Sequence, residues 1–344
     1  MKTMEDARTQ PPATRRGAAP EANGSGAVWD MTLPGLFSGL NDAGTLRRFH
    51  ALGYRFVSVT IANDSCRDPE PAAAAIEAVR TMAEQDSDLF RIVRSSSDIS
   101  SAVEAGQLAL SFNFQGTNPF AGNIENVARF AGLSLDHALL AYNQPNGVGD
   151  GCTNFPGDGL TPFGRALVGE MNRCGVIVDG SHSGYRTTME AMDLCAAPFI
   201  FSHSNACGVY PHYRNLRDDQ VEACASSGGV IGVNGVGAFL SEDGKASVEH
   251  IFRHIDYLAA LVGHEHVGLA LDFIDRTDVF AERAAKEADS WPLNNGKPVR
   301  FGAFAEPRVV HDVAALMADH GYDSAQIRAI LWGNFRRVYA AVIG

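Results

Sequence analysis

Two apolar runs each end on a histidine held among small residues: Val176 to Ser183 reads Val-Ile-Val-Asp-Gly-Ser-His-Ser, and Phe199 to Ser204 reads Phe-Ile-Phe-Ser-His-Ser. His182 and His203 therefore stand 21 residues apart, at equivalent points of two successive buried segments. Imidazoles brought to one point in this way can ligate a divalent metal, which needs two or three nitrogen or oxygen ligands and an open position for water. The bound water then loses its proton near pH ~7, which is hydrolytic chemistry. Taken alone, either histidine is only a polar residue closing a strand. The repetition, with a third apolar run ending at Asp272 (Val267-Gly268-Leu269-Ala270-Leu271-Asp272), favours a site.

Such residues need a scaffold that aims strand ends at a common centre. Short apolar or β-branched runs occur at 28–33, 56–61, 108–114, 138–143, 176–181, 199–204, 230–234 and 267–273, which makes eight strand candidates. Helical periodicity fills most intervals, at 71–85, 124–132, 161–174, 187–195, 218–227 and 247–262, and two closing helices follow at 307–319 and 324–343. Near-continuous apolar strands alternating with helices predict a (β/α)8 TIM barrel, because parallel strands covered on both faces need no polar alternation. A doubly wound sheet would carry a glycine-rich phosphate loop after its first strand. The segment Asp30-Met31-Thr32-Leu33-Pro34 is not one.

The barrel orders the scattered polar residues. Its active sites lie at the carboxyl ends of the strands, and there fall Asp30 and Thr32, Gln115, Tyr142 and Asn143, His182, His203 and Asp272. His50, His137 and His250 fall in helical or loop patterns, and His264 and His266 precede a strand at the opposite face, so these five are read as structural or solvated. The charged, Pro/Asn/Gly-rich stretch 275–299 reads as a long loop that could roof the site.

Composition sets the bounds. The chain has 344 residues, 45% hydrophobic and 20% charged, as expected of a globular protein with one large core. A formal charge of −12 without a basic cluster argues against nucleic acid and anionic membrane surfaces as partners, and leaves small ligands. Residues 1–27 read as a disordered tail ahead of a single barrel domain at 28–344. The pair Arg15-Arg16 evokes a twin-arginine signal, but Gly17 to Gly26 provides no hydrophobic core, so the expected location is the cytoplasm. Six cysteines without a CxxC pair read as free thiols. A homodimer is compatible with all of this.

Several segments together resemble the membrane (renal) dipeptidases, peptidase family M19 of the amidohydrolase superfamily. These are Gly159-Leu160-Thr161-Pro162-Phe163-Gly164, Glu170 to Gly175, Asp179 to Ser183, Phe201 to Ser204, Arg214-Asn215 and Val267 to Phe273, within a likeness running from about Val28 to Val342. The resemblance implies that His182 and His203 ligate one zinc. It implies further that Arg214, next to Asn215, grips the substrate's terminal carboxylate, and that Asp272 handles the proton of the attacking water. On sequence alone, the alternative is a surface arginine paired with Asp218 or Asp219.

The departures from the family pattern concern the other metal and the substrate carbonyl. Two-zinc members have His-x-Asp at the end of the first strand, where this chain has Asp30-Met31-Thr32. Gln115 stands in place of the metal-bridging glutamate, and Tyr142 in place of a histidine that assists at the substrate carbonyl. An amide cannot bridge two cations as a carboxylate does. The expectation is one zinc, or another divalent ion, per chain, held by His182, His203 and Asp272 or Asp30, with Gln115 beside it. The expected activity is hydrolysis of a small amide or peptide bearing a carboxylate, with Asp272 and Tyr142 at the reacting bond and Tyr142, Arg214 and Asn215 on the substrate. The alternative is a non-hydrolytic relative, a tailoring enzyme or a binding protein that reuses the pocket.

Overall fold

The computed structural model describes residues 26–36 and 38–344, so most of the expected tail lies outside the described residues. Among the described residues, nine parallel strands form one sheet: β1 (Val28–Leu33), β2 (Tyr54–Asn63), β3 (Phe90–Ile92), β4 (Leu108–Gln115), β5 (Leu135–Leu139), β6 (Ile177–Asp179), β7 (Ile200–Phe201), β8 (Val230–Asn234) and β9 (Val267–Ala270). Eight of them follow the order β1-β2-β4-β5-β6-β7-β8-β9, and β3 lies off this path, paired only to β4. The eight make a nearly closed (β/α)8 barrel. At the seam the Leu271 amide, just past β9, donates to Asp30 Oδ2 on β1 (3.1 Å).

Helices cover the outside, and local chemistry sets their ends. Thr161 caps the helix Pro162–Cys174 by accepting from the Gly164 amide (3.0 Å), and Pro162, with its fixed φ, occupies the first turn. Gly175 ends the helix at φ 71°, a conformation glycine adopts without strain. Strand and helix side chains interlock in the main core, while Trp29, Met31, Phe56 and Ile177 pack at the barrel floor against Trp332, Phe335 and Tyr339 of the closing helices. Among the described residues, no helix is long and apolar enough to cross a membrane.

The structure corrects three expectations. β3 and the helices Ala43–Ala51 and Ser96–Glu104 belong to no predicted element. The segment 275–299 is not simply a loop, since it contains the helix Thr277–Lys286. His137 lies on β5 rather than in a loop, and it is fully buried. Its Nδ1 faces Asp179 Oδ2 (3.1 Å) and its Nε2 faces Ser58 Oγ (3.0 Å), so a polar bridge crosses the barrel interior beneath the site. Asp179 Oδ1 also accepts from the amides of Ser181 (2.9 Å) and Ser202 (3.1 Å), which ties together the two segments that carry His182 and His203.

Candidate active site

The apolar runs end as expected at the carboxyl rim; Asp30, Thr32 and Gln115 lie within β1 and β4, whereas Tyr142, Asn143, His182, His203 and Asp272 sit two to four positions beyond the hydrogen-bonded strands. Three of them, Asn143 (φ 58°), His182 (φ 64°) and Asp272 (φ 53°), hold the left-handed conformation that L-residues adopt at a cost of about 1–2 kcal/mol each. Such strain persists only where the surroundings over-determine it, and it clusters at functional sites. Here it brings the Asn143 and His182 side chains into contact and directs Asp272 to Asn234.

At that centre the Nε2 atoms of His182 and His203 approach to 3.0 Å. Asn143 Oδ1 accepts from Cys152 Sγ (3.2 Å) and faces His182 Nδ1 at 2.7 Å, so the Nδ1 proton points to Asn143 and Nε2 presents its lone pair. His203 Nδ1 is held by Ser202 Oγ (2.7 Å) and Thr32 Oγ1 (3.2 Å). Burial, reinforced by the Arg214 guanidinium, keeps both rings neutral: His182 lies well below the usual histidine value, and His203 is lowered to about 3. Tyr142 stacks on His182 with ring centroids 4.3 Å apart. Its backbone amide donates to Asp64 Oδ2 (2.9 Å), a residue whose role sequence reasoning did not see.

Arg214 is buried, with 3% exposure, and makes no salt bridge among the described residues. One terminal nitrogen donates to the His203 carbonyl (3.1 Å), the guanidinium lies 5.4 Å from the Phe239 ring centre, and Nε has no partner. The alternative pairing with Asp218 or Asp219 is not what the structure shows, because those carboxylates take Tyr257 (2.9 Å) and Arg217 (3.8 Å). Asn215 donates through Nδ2 to the carbonyls of Tyr210 (2.9 Å) and Phe239 (2.8 Å), which fixes the segment that carries Arg214.

The other rim is self-satisfied. Asp30 accepts from the Thr32 amide on Oδ1 (3.0 Å) and the Leu271 amide on Oδ2 (3.1 Å), so backbone groups occupy both of its oxygens. Burial nevertheless pushes its carboxyl up to about 7. Gln115 donates to Thr60 Oγ1 (3.4 Å), and Asp272 receives Asn234 Nδ2 (3.4 Å). Burial also raises Asp272 to about 7, with Arg214 opposing the shift.

Among the described residues, no group of three or more His, Cys, Asp and Glu side chains could hold a metal ion. The expected set of two histidines and a carboxylate is therefore not assembled, since Asp30 serves the backbone and Asp272 turns to Asn234. The two bare Nε2 atoms still fit a single divalent ion as two of its ligands, with the remaining positions open to water and substrate. Thr32, Gln115 and the engaged Asp30 do not fit a second ion.

Two cavities meet at His182. One contains Gln115, Tyr142 and Asp272, and the other Arg214, Asn215 and Cys152. The residue that sequence reasoning missed is Trp291, whose ring faces those of Tyr142 (6.1 Å), His182 (6.2 Å) and Phe239 (6.1 Å) from above. A lone tryptophan in a charged, proline-bearing stretch was the available signal.

A (β/α)8 barrel with buried imidazoles and an unpaired guanidinium at its carboxyl rim is of the metal-dependent hydrolase type. Residues 67–286 match the family described as membrane dipeptidase (peptidase family M19), and the chain belongs to that family. An uncharacterized dipeptidase of Schizosaccharomyces pombe is 33% identical over 220 residues, 62% of this chain and 54% of that protein. An uncharacterized Klebsiella pneumoniae protein from the region 5′ of pqqA is 31% identical over 260 residues, 72% of this chain and 88% of its own length. The chain spans about half the length of the fission-yeast relatives it matches. Among solved structures, an amidohydrolase from Pseudomonas aeruginosa superposes with a TM-score of 0.81 at 25% identity, over 94% of this chain and 98% of the other.

Proposed function

We propose that the chain is a dipeptidase-like hydrolase of a small amide or peptide bearing a carboxylate, with one divalent ion held by His182 and His203. The observation that carries this reading is Arg214, a buried guanidinium without a carboxylate of its own, placed beside the histidine pair. A buried charge left unpaired is costly, so the site is built for an anion that arrives from outside. A zinc ion there, or another divalent metal, would supply Lewis-acid activation of water and of the scissile carbonyl.

The chain's own residues do the rest. Arg214 binds the carboxylate through its planar fork, and the stacked Tyr142 fixes the His182 ring. Asp272, whose carboxyl burial raises to about 7, can take a proton from water and return it to the leaving amine. The half-buried Trp291 lies with its ring edge-on to those of His182 and Tyr142 and bounds the pocket. The absence of a third converged metal ligand among the described residues favours the non-hydrolytic reading, in which the same pocket binds a carboxylate ligand without turnover.

The test is Arg214→Lys, which keeps the charge and loses the fork. Affinity for a carboxylate-bearing dipeptide, measured by calorimetry, should fall by at least about tenfold, or ~1.4 kcal/mol, while the melting temperature moves little. Unchanged affinity with reduced stability would make Arg214 structural and remove the carboxylate from the substrate class.

A further inference from the structure

The two chambers that meet at His182 differ in chemistry. In the one of about 480 Å³, Arg214 Nε, Tyr213 OH and His212 Nε2 are buried without partners. The other, of about 430 Å³, has Tyr142 and Asp272 among its lining and an aromatic shell of Phe239, Phe280, Trp291, Phe301 and Phe304. The shell is continuous: Trp291 and Phe301 have ring centroids 4.7 Å apart, Phe280 and Phe301 5.0 Å, and Phe280 and Phe304 5.7 Å. Both volumes lie in the range of about 300–1,000 Å³ usual for small-molecule sites.

A carboxylate at Arg214 fixes the direction of the substrate. The half beyond the scissile bond must then enter the aromatic chamber. In a free dipeptide that half begins with an ammonium group next to the reacting carbonyl. The charged side chains lining this chamber are Asp272, whose proposed task is proton transfer, and the exposed Arg283 and Glu287. An ammonium placed there would neutralise Asp272, sit among apolar rings, or have to reach the solvent-exposed Glu287 at the rim, where pairing contributes little.

Resting on the hydrolase reading above, we propose that the substrate is an N-acylated amino acid, its carboxylate at Arg214 and a bulky apolar acyl group in the aromatic chamber. Hydrolysis breaks the acyl C–N bond and joins the oxygen of water to the acyl carbon. The water proton ends on the departing nitrogen, which gives a carboxylic acid and a free amino acid. Redox chemistry has no part in this step.

The experiment compares N-phenylacetyl-alanine, N-octanoyl-alanine and alanyl-alanine, in both enantiomers, on the full chain with zinc supplied. Turnover and calorimetric affinity are both read. The acyl compounds should exceed alanyl-alanine by at least about tenfold in affinity and in kcat/KM, because deep burial of a phenyl or octanoyl group contributes more than this. Phe280→Ala should shrink that ratio severalfold. Equal or better binding of alanyl-alanine, as cation–π attraction to the shell would give, overturns the inference and leaves the hydrolase reading standing. That reading fails separately if Arg214→Lys leaves the affinity of all three compounds unchanged.

Discussion

The two sides of the barrel mouth treat their polar atoms in opposite ways. On the β1–β4 side, Asp30 gives both oxygens to backbone amides and Gln115 bonds Thr60. On the β6–β7 side, His182 and His203 face each other through Nε2, and His212, Tyr213, Arg214 and Asn215 each keep a buried polar atom without a partner. Buried polar groups in folded proteins are overwhelmingly paired, so the partnerless atoms of His212, Tyr213, Arg214 and Asn215 beside the two imidazoles set this half apart from the other. The contrast divides the rim into a half whose polar atoms are engaged at the barrel seam and a half that leaves polar atoms without partners beside the histidine pair.

The largest expected effect falls on the half with the histidine pair. His203→Ala should weaken zinc binding by more than about 100-fold, beyond the 10–100-fold typical of outer-shell changes, with little loss of fold. Zinc titration with thermal melting checks both parts. Unchanged metal affinity would remove His203 from the site.

Asp30 probes the opposite half. Asp30→Ala strands two buried amides at about 1–3 kcal/mol each, so denaturant unfolding should show a loss of roughly 2–6 kcal/mol with zinc affinity unchanged. The same carboxyl sets a smaller, pH-dependent effect. Burial lifts it from 3.8 to about 7, so the folded state holds its proton more tightly than the unfolded state does. The stability this contributes is fully present below 3.8 and declines as pH rises through about 7. The stability difference between the parent chain and Asp30→Ala should therefore narrow across that window. A difference that widens with pH would mean that Asp30 is a paired anion.

Much of this division was legible in the sequence. The apolar runs ending at His182, His203 and Asp272 locate the rim, since buried parallel strands leave continuous hydrophobic signatures. Their hydrogen-bonded ladders are shorter than the runs: β7 keeps only Ile200–Phe201 because the segments turn inward to present the histidines. β3 escaped because three residues carry no readable period. His137 escaped because a polar residue in Leu135-Asp136-His137-Ala138-Leu139 breaks the apolar pattern, and its partner Asp179 lies 42 residues away. The aromatic shell over the site comes mostly from residues 280–304, where polar composition hides the few rings that fold back together. Which side-chain oxygens are already engaged by backbone amides is a tertiary fact, and so the engagement of Asp30 could not be read in advance.

The central claim is that one half of the rim binds a metal and the other cannot, and calorimetric titration of zinc into the dialysed chain tests it most directly. The account predicts a single site per chain that disappears in His203→Ala. Two sites per chain, or one that survives that substitution, would contradict it.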